Sequence, residues 1–122
     1  MAESDLSLAG VEMRNRVLVA AGCHGADGDI IVETAKTGVA AITTKTIVAQ
    51  AVEDVRPCFS KVEGGFLNCV FGTTLPPEQW FEVELPRATE AGVPVIASVA
   101  GLSPEEGAEL AARAVAAGAT MI

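Results

Sequence analysis

Lys45 closes an apolar and hydroxyl-bearing run, Val39 to Thr44, and so carries an ammonium to the point where a buried strand would emerge. In parallel α/β proteins ligands sit beyond the carboxyl ends of the strands. Two other stretches occupy that position, Ala20-Ala21-Gly22-Cys23-His24-Gly25 and Ser98-Val99-Ala100-Gly101. Alanine and glycine present little side chain, so a flat ring or a phosphate chain can approach their amides closely. Such residues equally suit a tight turn, and for Ala21 and Gly22 both readings stand. A lysine at a strand end also fits a structural ion pair; Lys45 favours function because its stem leaves a buried element at the ligand-bearing rim.

The stretch from Thr46 to about Pro77 is longer than ordinary connections, and connections of that length are usually functional. Within it, Glu63-Gly64-Gly65-Phe66-Leu67-Asn68-Cys69-Val70-Phe71-Gly72 pairs two glycines, suited to close backbone approach, with Asn68. The Asn68 amide has both a donor and an acceptor for reading a planar heterocycle. The alternative is a turn asparagine within an apolar lid packed by Phe66, Leu67 and Val70. His24 is the single histidine and reads as a solvated loop residue, without a second imidazole for a metal or a serine pattern for a triad. Cys69 beside Asn68 could be a reactive thiol, although single thiols in apolar surroundings are mostly inert packing. No P-loop, G-x-G-x-x-G or H-E-x-x-H pattern occurs.

The elements that must hold these residues follow from a unit repeated three times, a helical stretch ending at glycine and then a short apolar run. It appears at Lys36-Thr37-Gly38-Val39-Ala40-Ala41-Ile42, at Glu90-Ala91-Gly92-Val93-Pro94-Val95-Ile96 and at Ala116-Ala117-Gly118-Ala119-Thr120-Met121-Ile122. Glycine just past a helix adopts the left-handed cap, so each unit reads as helix, turn, buried strand, the signature of a parallel sheet with helical crossovers. Ahead of them, Asp5 to Leu8 and Val11 to Met13 around Ala9-Gly10 suggest a hairpin, Val17 to Ala21 a first buried strand, and about Asp29 to Thr37 a first helix. A second helix starts near Pro77 with Trp80, Phe81 and Leu85 at core spacing, and Pro86 should kink or split it. Ser103-Pro104-Glu105-Glu106 opens the last helix as a capping box, Glu106 reaching back, and Ala108, Ala111, Ala112, Ala114 and Val115 give it a slim packing face.

The chain has 122 residues, half of them hydrophobic, with 16 acidic against 8 basic residues and a net charge of -8. One domain at most is expected. No cationic run exceeds Arg14-Asn15-Arg16, which removes nucleic acid and anionic lipid as partners, and no apolar run approaches the roughly 20 residues of a membrane span. Three cysteines without C-x-x-C spacing and no signal-like leader point to free thiols in a reducing cytoplasm. Because Ala119 to Ile122 begins a fourth buried strand, residues 1–122 are expected to be a fragment, exposing unpaired strand edges and prone to self-association.

Together these residues resemble the N-terminal part of the dihydroorotate dehydrogenase family, FMN-dependent (β/α)8 barrels that include the flavin domain of dihydropyrimidine dehydrogenase. The resemblance rests on the leading hairpin from Asp5-Leu6-Ser7 to Asn15, on Ala20-Ala21-Gly22 at the family's Ala-Ser-Gly flavin turn, and on Thr44-Lys45-Thr46. Gly64-Gly65-Phe66-Leu67-Asn68 and Ser98-Val99-Ala100-Gly101 complete it. It implies the N-terminal half of a (β/α)8 TIM barrel with a leading β-hairpin, truncated at the start of its fourth strand, and hydride transfer between a C–C bond of a small pyrimidine-like substrate and FMN. It also implies that Ala20, Ala21, Gly22, Lys45 and Thr46 contact FMN, that Lys45 and Asn68 hold substrate, and that Lys45 is catalytic. By the same resemblance, the catalytic base and most of the FMN phosphate site would lie after Ile122. A homo-oligomer is expected, and the electron acceptor stays open between a small molecule such as fumarate and NAD reached through an iron-sulfur electron-transfer subunit. Two departures stand out: Ala21 replaces the family's serine, and Phe71 brings a phenyl ring where the family keeps glycine, which reshapes the substrate pocket.

Two other readings compete. One is a flavin-independent barrel for a phosphorylated metabolite, with Lys45 forming a Schiff base or acting as an electrophile. The other is a non-catalytic half-barrel that acts by assembling with a second chain.

Overall fold

The computed structural model describes residues 6–122 and is mixed α/β, with parallel strands in chain order and helices between them. The expected hairpin is present as β1 (Ser7–Leu8) against β2 (Val11–Glu12); Asp5 lies outside the described residues. Its two turn residues, Ala9 and Gly10, have φ of 50° and 82°, the twist-matched turn that joins strands directly. Beyond it, Arg14 donates to the Val39 and Ala35 carbonyls and Asn15 to Gly38, so this short basic stretch fastens the hairpin to the end of the first helix.

Parallel strands β3 (Leu18–Val19), β4 (Ala41–Thr43) and β8 (Val95–Ile96) lie side by side, and Met121 adds a parallel bridge to Ile96. The crossovers are α1 (Gly28–Ala35), a broken helix spanning 77–91, and α4 (Pro104–Ala116). Each of the three repeat units ends its helix in a left-handed glycine, with φ of 92° at Gly38, 66° at Gly92 and 109° at Gly118. The strands are shorter than the runs that predicted them, and no barrel is closed by the described residues.

The second and third parallel strands continue past their first pairing as β5 (Ile47–Val48) and β9 (Val99–Ala100), again parallel. Between the two pairings, Thr44, Lys45 and Thr46 stand opposite only Ala97 and Ser98. The extra residue is a β-bulge, a device that re-aims a side chain and is frequent beside active sites. Lys45 therefore does not end the strand, as its sequence context predicts; it sits in an interruption, and pairing resumes at Ile47.

The broken helix runs through α2 (Pro77–Gln79), a π turn (Trp80–Glu84), α3 (Leu85–Ala88) and a closing turn at Thr89–Ala91. Pro86 has no N–H and its ring crowds the carbonyl four residues back, which a widened preceding turn relieves. The split at Pro86 thus takes the form of a π turn with Leu85 N–H donating to Trp80. Trp80, Phe81 and Leu85 are buried as their spacing predicts, against Ile31 of α1, Ile42, Ile47 and Val95 of the strands and Leu110 and Ala114 of α4.

Two local expectations need correction. On α4 the packing face is Leu110 and Ala114, while Ala108, Ala112 and Val115 are exposed. Ser103 accepts from the Glu106 N–H at 3.2 Å as a capping residue should, but the Glu106 carboxylate accepts from Leu102 N–H, one residue before the expected donor.

The long segment contains an antiparallel hairpin that its composition did not announce, β6 (Phe59–Val62) with β7 (Gly65–Asn68). Gly64, at φ 79°, serves the turn, and neither Gly64 nor Gly65 has another group within 4 Å of an added Cβ. The paired glycines therefore make a turn, not a close approach. Phe66, Leu67 and Val70 are exposed and pack no lid.

Candidate functional site

A cavity of about 770 Å³ opens at the carboxyl ends of β3 and β4, within the size range of small-molecule and cofactor sites. Ala21, Gly22 and Cys23 form one wall, Lys45 enters from the bulge, and the opposite wall is made by 52–56 and 68–74. The expected Ala21, Gly22, Lys45 and Asn68 thus share one cavity. Ala20 and Thr46 do not line it. The Thr46 hydroxyl lies 3.0 Å from the Ser98 hydroxyl, and Ser98 N–H donates to Thr44 Oγ1, so these hydroxyls tie the strand ends together.

The position of Lys45 is fixed through its backbone. Its N–H donates to the Gly25 carbonyl at 2.6 Å, leaving the ladder at the bulge. Gly25 reaches that point because it has no Cβ; one added there would lie 2.2 Å from the Thr43 carbonyl oxygen. The half-buried Lys45 side chain forms no ion pair among the described residues. On the other wall Arg56 lies 3.0 Å from Asp54, and Glu53 adds a carboxylate that forms no ion pair among the described residues. The Arg56 hydrogen bond to Asp54, the Asp54 charge and then Cys58 hold the guanidinium pKa above its ordinary value. Lys45 is the cation of the cavity that lacks a carboxylate partner.

Asn68 ends β7, and its Oδ1 accepts from Val70 N–H at 3.3 Å in a short turn. The amide nitrogen has no protein acceptor among the described residues, so both readings of Asn68 hold in part: a turn former that still has two donors at the cavity. At Gly22 an added Cβ would meet only the Ala20 carbonyl, at 3.9 Å, so the turn after β3 presents open backbone to a flat ligand. That surface and one unpaired ammonium fit an anionic ring cofactor better than a metal, and no cluster of metal-ligating side chains exists among the described residues.

Three contributors were not foreseen. Thr73, almost fully buried, accepts from the Trp80 indole N–H at 2.9 Å and from Leu75 N–H at 3.1 Å. Its backbone bonds to Thr46 and Val52 anchor the far wall to the bulge. A buried tryptophan needs a partner for its N–H, and that was the available signal. Gly72 packs its backbone against Thr46 and Val48, the close approach expected of Gly64-Gly65. Gly25 is the third.

No family model matches the chain. Among curated proteins, it is similar to the catalytic subunit of dihydroorotate dehydrogenase B (NAD(+)) of Methanocella arvoryzae, 36% identical over 98 residues, 80% of this chain and 32% of that protein. The subunit of the same name from Methanosarcina acetivorans is 38% identical over 108 residues, 86% of this chain and 34% of that protein. That from Methanothermobacter thermautotrophicus is 35% identical over 109 residues, 88% and 35%. The chain thus spans about a third of the length of the curated relatives it matches. Over that span, which is most of its own length, it is similar to members of the dihydroorotate dehydrogenase family.

Proposed function

We propose that residues 1–122 form the leading part of an FMN-dependent (β/α)8 barrel, and that the cavity around Lys45 is its flavin and substrate site. The observation that carries this reading is the half-buried, ion-pair-free ammonium of Lys45, set on a β-bulge in one cavity with the Ala21-Gly22 backbone and Asn68. The similarity to dihydroorotate dehydrogenase subunits supports the choice of an oxidoreductase acting on a C–C bond.

Bound there, FMN supplies the hydride chemistry. Ala21 and Gly22 give a flat ring an open backbone to lie against. Lys45 fixes positive charge where negative charge accumulates during hydride transfer, and a preoriented charge in a sheltered site lowers that barrier without reorganisation. The same ammonium holds an anionic group of the substrate, while the Asn68 amide nitrogen donates to a ring carbonyl. The substrate is a small pyrimidine-like ring, and Phe71, at the cavity wall, shapes the space around it. The relatives are named catalytic subunits of an NAD(+) enzyme; for this protein an iron-sulfur subunit that carries electrons onward, a homo-oligomeric assembly and a cytoplasmic location complete the proposal. Among the described residues, no helix is long and apolar enough to cross a membrane.

The test is the absorption spectrum of the purified full-length protein. Stoichiometric flavin, displaced by FMN analogues, supports the proposal. A colourless protein whose Lys45 is trapped by borohydride with a carbonyl substrate would replace it with the Schiff-base reading.

A further inference from the structure

Cys58 and Cys69 extend the register of the β6–β7 hairpin by one residue beyond the Phe59–Asn68 pair, so they face each other directly across its mouth. The Cys69 N–H donates to the Cys58 carbonyl at 3.0 Å, and the Cys69 thiol approaches the same carbonyl at 3.7 Å. Directly opposed residues of antiparallel strands have Cα atoms about 4.5–5.5 Å apart, inside the range of about 4.4–6.8 Å that a disulfide spans. Both thiols are free, half-buried and part of the cavity wall, where a small oxidant reaches them.

We propose that Cys58 and Cys69 are a dithiol modification site, converted to an intrachain disulfide by a hydroperoxide and restored by thiol reductants. One thiolate attacks the peroxide oxygen, the O–O bond breaks, and a sulfenic acid forms with loss of the first water or alcohol. The second thiol then displaces the sulfenic oxygen as water. In balance, two S–H bonds are replaced by one S–S bond, and the two electrons and two protons go to the peroxide. The bridge fastens 52–56 to 70–74 at the base of the hairpin and fixes the backbone beside Asn68. Cys23 lines the cavity on the opposite wall and stays a free thiol. The site is independent of which ligand the cavity holds.

The test is to treat the full-length protein with stoichiometric hydrogen peroxide, block remaining thiols and map the peptides. Within this segment, titratable thiols fall from three to one, a linked peptide pair containing Cys58 and Cys69 appears, and dithiothreitol reverses both changes. Cys23→Ser retains the bridge; Cys58→Ser and Cys69→Ser each abolish it. Hydrogen exchange should slow across 57–70 in the oxidised form only. A bridge that includes Cys23, one between two chains, or three thiols still free after peroxide would overturn the proposal.

Discussion

The backbone N–H of Lys45 donates to the carbonyl of Gly25 at 2.6 Å, joining the turn after β3 to the bulge that follows β4. Both components of the site, the open Ala21-Gly22 turn and the lysine, hang from that contact. It forms because Gly25 lies flush against the backbone of β4. In Gly25→Ala the new methyl would meet the Thr43 carbonyl, which cannot move as a side chain would. Urea denaturation should show a loss of about 1–3 kcal/mol, the usual cost of overpacking.

Thr73→Val keeps the volume and removes the acceptor of both the Trp80 indole and the Leu75 amide. Leaving buried donors unpaired costs about 1–3 kcal/mol. Trp80 is the only tryptophan of residues 1–122, so fluorescence from this segment reports the change, with a lower denaturation midpoint and faster quenching by acrylamide.

Glu84 is buried, and its two oxygens accept from the Gly28 N–H at 2.8 Å and the Gln79 amide at 2.7 Å, fastening α1 to the π turn. Glu84→Ala should therefore destabilise by about 1–3 kcal/mol, since it strands a buried donor. Glu84→Gln keeps an acceptor and should lose less. Equal losses in chemical denaturation would show that charge, not hydrogen bonding, is what matters there.

Gly107 lies within α4, where an added Cβ meets nothing within 4 Å and φ is ordinary. Gly107→Ala should raise stability by about 0.5–1 kcal/mol through helix propensity alone. A fall in the denaturation midpoint would mean that α4 packs more closely than the structure has it.

The sequence disclosed what local chemistry controls. Gly38, Gly92 and Gly118 announced three helix ends because only a left-handed cap calls for glycine there, and the hydrophobic spacing of Trp80, Phe81 and Leu85 marked a core face. Lys45, closing an apolar run, and Asn68, on a long connection, were identifiable as chemistry-bearing residues. The bulge was not legible, because it is the difference in length between two paired strands and neither strand shows it alone. The close approaches of Gly25 and Gly72 were hidden for the same reason: a glycine in a turn and one pressed against a neighbouring strand look identical until the neighbour is placed. The β6–β7 hairpin has little apolar alternation because both of its faces are exposed.

The most direct measurement for the Lys45 site is single-turnover flavin reduction under anaerobic conditions, comparing the full-length protein with Lys45→Ala. Removing a charge aimed at developing negative charge should slow reduction on the order of 10²-fold, with flavin still bound. An unchanged rate in the flavin-loaded variant would contradict the role assigned to Lys45, and with it the cavity as the reaction site.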